Sequence, residues 1–188
     1  KYFGAENGNV NSDAFHRALL NDAKIDQYLG ASSDDSNAMD SGYARGYNRY
    51  IDTHADQLPA SCAGAEWVKP IDERDLARLA IGVGIRYGLG RVTDQIATAA
   101  PNQAIAALKP IDLTLDVEKI GSNAYAFGSD LTDTGRGILL GNPHYPWQGP
   151  SRFHMAHLTL PGEIDFMGVG LIATPRLAIG FNDTIAWS

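Results

Sequence analysis

Residues 121–147 read GSNAYAFGSDLTDTGRGILLGNPHYPW, and the way this stretch is read decides the fold. Two short β-prone runs, "NAYAFG" and "GILLG", are separated by eight residues rich in Gly, Asp, Thr and Ser, which is the pattern of two strands joined by a looped connection. The same pattern continues downstream. The runs "RFHMAHLTL", "IDFMGVGL", "LAIGF" and "TIAW" are each punctuated by Gly or Pro, and together they predict an antiparallel sheet built from hairpins.

Upstream the period changes. Residues 12 to about 98 read as helices. In "NSDAFHRALLNDAKIDQYL", Asn11, Ser12 or Asp13 can cap a run that carries Phe15, Leu19 or Leu20, Ala23 and Tyr28 near helical spacing. A second run from Asp34 carries Met39, Tyr43, Tyr47, Tyr50 with Ile51, and Leu58, and stops at Pro59. Gly42 and Gly46 are four apart on that helix and predict a closely approaching neighbour, although each lowers intrinsic helicity by about 1 kcal/mol relative to Ala. In "IDERDLARLAIGVGIRYGLG", Asp72 can cap a stripe of Leu76, Leu79, Val83 and Tyr87 that ends at Gly88 and Gly90. Between the two halves, residues 99–121 have two prolines and weak periodicity, and read as a connector. The expected class is α+β, with a helical N-terminal half and an antiparallel β C-terminal half.

Composition narrows the function. The chain has 188 residues, 44% hydrophobic and 20% charged, the balance of a folding globular protein. Fifteen Lys and Arg against 22 Asp and Glu give a net charge of −7, with no basic stripe to neutralise a phosphate backbone, so nucleic acid is not expected as a partner. No stretch approaches the roughly 18–20 apolar residues that cross a bilayer, so no membrane partner is expected. The chain opens on Lys1 and closes on "TIAWS" with a strand-like run in progress, and is expected to be a slice of a longer protein. Cys62 is the single cysteine and gives no redox compartment by itself.

Most residues that could carry chemistry lack a pattern for it. There is no phosphate-binding loop, no spaced Cys pair and no His-Glu-x-x-His. His154 and His157 are three apart on an expected strand, which places them on opposite faces and argues against a metal pair. Asp34 with Asp35, and Asp112 with Asp116, read as solvated surface, and His16 and His54 as structural.

Gly121-Ser122 stands apart because of its position before a strand. Breaking that bond makes Ser122 an N-terminal residue with a hydroxyl and an α-amine in one unit. Such an amine has a reference pKa of about 7.7–8.0, so a useful fraction is free base near neutrality and can take the hydroxyl proton. Gly121 lacks a Cβ and tolerates the backbone distortion that attack on its own carbonyl requires. Spacing alone leaves an ordinary turn as the alternative.

Motifs at fixed distance downstream weigh against the ordinary turn. Ser122-Asn123-Ala124, the hairpin running to "LLGNPHYPW", the run "RFHMAHLTLPG" and "IGFNDTIAW" together resemble the start of the β subunit of the penicillin acylase family of N-terminal nucleophile hydrolases. Within that family they are most similar to the branch of acyl-homoserine lactone acylases and aculeacin A acylase. "SGYARGYNRYI" and "LPASCAGAEWVKPIDERDL" resemble the late α subunit of the same branch.

The resemblance implies part of a four-layer αββα fold, with residues 1–98 as the end of the α subunit, 99–121 as an excised spacer and 122–188 as the start of the β subunit. It implies a self-processing acylase that hydrolyses the amide of acylated small molecules, with the rest of its own subunits as partners. A penicillin or cephalosporin acylase, or a non-catalytic relative that binds, are the alternatives. Autocleavage falls between Gly121 and Ser122; Ser122 is nucleophile and amine base; His144 in "NPHYPW" supports it. Tyr145, Leu171 and Ile179 are candidates for lining the acyl pocket, with plain sheet core as the other reading. The oxyanion donors of the branch fall after the last residue given, so this piece alone is expected to be inactive. Export to the periplasm or outside the cell is implied, and Cys62 could then pair with a cysteine outside this slice. Calcium occurs in some penicillin acylases, but no carboxylate cluster here matches, and no cofactor is expected.

Overall fold

The computed structural model describes residues 4–6, 8–99, 121–149 and 151–188. Two compact units are present, one helical within residues 1–113 and one β within residues 114–188. Most of the expected connector, residues 100–120, lies outside the described residues.

The helical unit contains α1 (Asn9–Leu19), α2 (Asp22–Ala31), α3 (Asp34–Thr53), α4 (Glu73–Tyr87) and the short α5 (Thr93–Ala97), with 3-10 turns at Ala55–Gln57 and Leu89–Val92. The run expected as one helix from residue 12 is two. Asn21 makes the break: its amide donates to the Ala18 carbonyl at 2.8 Å while its oxygen accepts from the Lys24 N–H at 3.1 Å, so one side chain closes α1 and caps α2. None of the expected caps for α1 is used. Asn11 instead donates to Asp94 at 2.6 Å, the Ser12 carbonyl accepts from His16, and the helix starts earlier, behind the left-handed Gly8 (φ 75°).

Asp72 caps α4 as expected, in a reciprocal box with Asp75: each side chain accepts from the other residue's N–H, at 3.0 and 3.3 Å. The core of the unit is small and sits where α1, α2, α3 and α4 supply Phe15, Ile25, Ala44, Leu76 and Ala77. The stripe of α4 is buried only at its start, since Leu79 and Tyr87 are exposed. Gly42 and Gly46 do not mark a close approach: a Cβ at Gly46 would meet nothing within 4 Å, and one at Gly42 only the flexible tip of Arg45.

Polar contacts tie these helices together. Arg74 and Arg78 on α4 both reach Asp22 on α2, at 3.1 and 3.0 Å, and Arg74 also pairs with Asp26. Asn48 on α3 treats Ile71 as a strand would, donating to its carbonyl and accepting from its N–H at 2.8 Å each. That double bond fixes the loop that enters α4.

In the β unit every run expected as a strand forms one: β1 (Gly121–Phe127), β2 (Ile138–His144), β3 (Phe153–Leu160), β4 (Ile164–Leu171), β5 (Ile179–Phe181) and β6 (Ala186–Trp187). They make two antiparallel sheets rather than one, a β1-β2 hairpin and a four-stranded sheet in the order β3-β4-β5-β6. Gly162 at φ 83° turns β3 into β4. Glycine also sets the spacing inside the larger sheet. A Cβ on Gly168 would collide with the Ile179 carbonyl oxygen, and one on Gly170 with that of Arg176. The mixed helix and antiparallel strand content matches the expected class.

Candidate active site

Register places the two residues expected to carry the chemistry at the open end of the β1-β2 hairpin. Gly121 is opposite His144 and Ser122 is opposite Pro143. Strand alternation then sorts the side chains. Ser122, Ala124 and Ala126 share a face with Leu139, Gly141 and Pro143, whereas Asn123 and Tyr125 share the other with Leu140, Asn142 and His144. The hydroxyl and the imidazole therefore belong to opposite faces and flank the Gly121–Ser122 peptide bond from either side. Gly121 is itself part of the ladder, one residue before the expected start of the β segment.

Ser122 is exposed, and its hydroxyl donates to the carbonyl oxygen of Gly121 at 2.5 Å. Its contact is thus with the bond expected to break, not with the imidazole. The ring of His144 reaches the same residue from the other face: a Cβ built on Gly121 would sit 3.4 Å from Nδ1. The other ring nitrogen, Nε2, is 3.1 Å from the side-chain amide nitrogen of Asn142.

The Ser122 face of the hairpin looks onto an apolar groove of about 340 Å³ between the two sheets. Leu139, Gly141 and Pro143 line one side; Phe153, Met155, Val169, Ile179 and Trp187 line the other. Of the three candidate lining residues, Ile179 borders this groove directly. Tyr145 stacks on Phe153, with ring centroids 4.8 Å apart and planes at 28°, and Leu171 pairs across β3-β4 with the same Phe153. Tyr145 and Leu171 thus neighbour a residue of the groove wall, Phe153, without lining the groove themselves. Sequence reasoning missed Phe153 and Trp187. Their signal was the alternation of "RFHMAHLTL" and "TIAW", which fixes faces only after the partner strands are known.

The remaining candidates are accounted for locally. His157 bonds Asp165 through Nε2 at 2.6 Å, on the groove face of β3 and β4, while His154 lies on the other face and packs near Gly170. No group of three or more potential metal ligands occurs among the described residues, and no helix there is long and apolar enough to cross a membrane. Cys62 is a half-buried free thiol.

The penicillin amidase family model matches residues 1–188. The acyl-homoserine lactone acylase PvdQ of Pseudomonas putida is 36% identical over the full chain, and that of Pseudomonas fluorescens 38%; the chain spans 26% of each. The aculeacin-A acylase of Actinoplanes utahensis is 40% identical across 84% of the chain, which covers 22% of that protein. The chain thus spans about a quarter of the length of the curated relatives it matches. These matches agree with the resemblance carried by the Ser122 and "LLGNPHYPW" motifs. With a family model covering it from end to end, the chain belongs to the penicillin amidase family.

Proposed function

We propose that this chain is part of a self-processing acylase that cleaves the amide bond of acylated small molecules, with acyl-homoserine lactones and lipopeptide side chains as the leading substrate classes. The observation that carries this reading is the geometry at one peptide bond: the Ser122 hydroxyl lies 2.5 Å from the Gly121 carbonyl oxygen, in a chain whose relatives are acylases.

Processing begins when Ser122 Oγ adds to the Gly121 carbonyl carbon. The Gly121–Ser122 C–N bond breaks as the hydroxyl proton passes to the departing nitrogen, and an ester forms. Water hydrolyses the ester and leaves a Gly121 carboxylate and a free Ser122 α-amine. In turnover that amine takes the Oγ proton, Oγ adds to the substrate amide, and the amine product departs with a proton. A second water releases the acid from the acyl-enzyme. The groove bounded by Phe153, Ile179 and Trp187 offers an apolar place for the acyl chain on the face that Ser122 shares. The oxyanion donors, the remaining parts of both subunits and an exported location belong to the same proposal.

The test is Ser122→Ala in the full-length protein. Intact mass is expected to show one unprocessed chain, and hydrolysis of a long-chain acyl-homoserine lactone is expected to fall to background. Processing at the normal rate in this variant would rule out Ser122 as the nucleophile.

A further inference from the structure

We infer that Asn142 is a positioning residue that sets which ring nitrogen of His144 carries the proton, so that His144 serves the Gly121–Ser122 bond as a hydrogen-bond donor and not as a base. This rests on self-processing at Gly121–Ser122. The side-chain amide nitrogen of Asn142 is a donor only, and it lies 3.1 Å from Nε2 of His144. Nε2 must then accept. In a neutral imidazole one nitrogen accepts and the other carries hydrogen, so the proton resides on Nδ1. Nδ1 is the nitrogen that faces Gly121, within 3.4 Å of where a Cβ would be.

The placement follows from the strand. Asn142 and His144 are two apart on β2, which puts both side chains on one face, opposite Asn123 and Gly121. Pro143 between them belongs to the other face. The described residues of this hairpin face are Gly121, Asn123, Tyr125, Phe127, Ile138, Leu140, Asn142 and His144. Tyr125 is the one further titratable group there, two residue pairs beyond Asn142, and no carboxylate or cation shares the face to compete for Nε2. An N–H held beside Gly121 suits the moment when charge develops on the Gly121 oxygen as Ser122 adds. A ring in the opposite tautomer would present a lone pair there.

Two variants of the full-length protein separate this role from a structural one. Asn142→Leu removes the donor and lets the ring sample both tautomers. Asn142→Asp replaces the donor with an acceptor that retains the proton on Nε2, so that Nδ1 keeps its hydrogen only while the ring is cationic. Self-cleavage of pulse-labelled precursor from cell-free translation would be followed between pH 5.5 and 8.5, with folding checked by limited proteolysis. Asn142→Leu is expected to slow cleavage about tenfold, the weight of one oriented hydrogen bond. Asn142→Asp is expected to approach the unmodified rate at the acid end and to fall progressively behind it as the pH rises. Folded variants that cleave at the unmodified rate at every pH, or an Asn142→Asp deficit that is constant with pH, would overturn the inference. Ser122→Ala distinguishes this failure from that of the parent reading: if it is arrested while both Asn142 variants process normally, only the role of Asn142 is lost.

Discussion

Single side chains do much of the work that backbone does elsewhere in this chain. Asn48 is the clearest case, because both its amide nitrogen and its oxygen are committed to one residue, Ile71, 23 positions away. Half-buried groups that lose such a partner are only partly compensated by water, and each net bond is worth about 1 kcal/mol. Asn48→Leu in the full-length protein is expected to lower stability by roughly 1–3 kcal/mol, read as a shift in denaturant midpoint with an unchanged slope. Asn48→Asp keeps the acceptor and should recover part of the loss. At this scale the sequence is informative where chemistry depends on adjacency. The Asp72 cap is legible because its partner atom lies three residues away, and the contact of the Ser122 hydroxyl with the Gly121 carbonyl oxygen needs only that the two residues are neighbours. Asn48, Asn21 and Asn142 are not legible, because an asparagine declares nothing about which of its two polar atoms is used, or by whom.

Elements show the same division. The strands are legible to within one to three residues at each end because alternation and Gly or Pro punctuation are local. Whether they make one sheet or two depends on pairing between β2 and β3, which no local pattern encodes. The helical half departs from expectation where one long apolar period conceals a break: Leu20 and Ala23 keep the period while the backbone leaves the helix between Leu19 and Asp22. The small residues of α3 suggest a close helix contact, yet those of β4 and β5 are where backbone approach is tight. Gly168→Ala is therefore expected to be costly, since its Cβ would run into the Ile179 carbonyl oxygen and that atom belongs to the ladder. A loss of about 1–3 kcal/mol is expected from forcing β4 and β5 apart, whereas Gly46→Ala on α3 should stabilise by up to about 1 kcal/mol. Thermal unfolding of the two variants side by side checks the contrast.

Across the whole molecule the charge balance is acidic, and two carboxylates of the helical unit are tuned against that background. The bonds from Arg74 hold Asp22 below its ordinary value of 3.8, with Arg78 adding to the effect, and the Ser41 hydroxyl holds Glu73 below 4.5. A carboxylate lowered in the folded state binds protons more readily when unfolded. Its stabilisation is present at neutral pH and disappears as pH falls through and below those ordinary values. Asp22 is exposed, so the effect is small and screened by salt. Asp22→Asn is expected to leave the melting temperature near that of the unmodified protein at pH 3 and to lower it at pH 7 in low salt, with the difference shrinking in 0.5 M salt. Melting curves at the two pH values, each at low and high salt, measure it.

Trp147 follows His144 by three residues and is 95% exposed. An indole so fully hydrated emits far to the red, and its emission moves to the blue whenever another segment covers it. The other tryptophans start from more sheltered positions, Trp67 at 54% and Trp187 half-buried. The chain consequently carries its own optical gauge beside the bond expected to break: single-tryptophan variants of the full-length protein could report, without any added label, when the surroundings of that hairpin close over it.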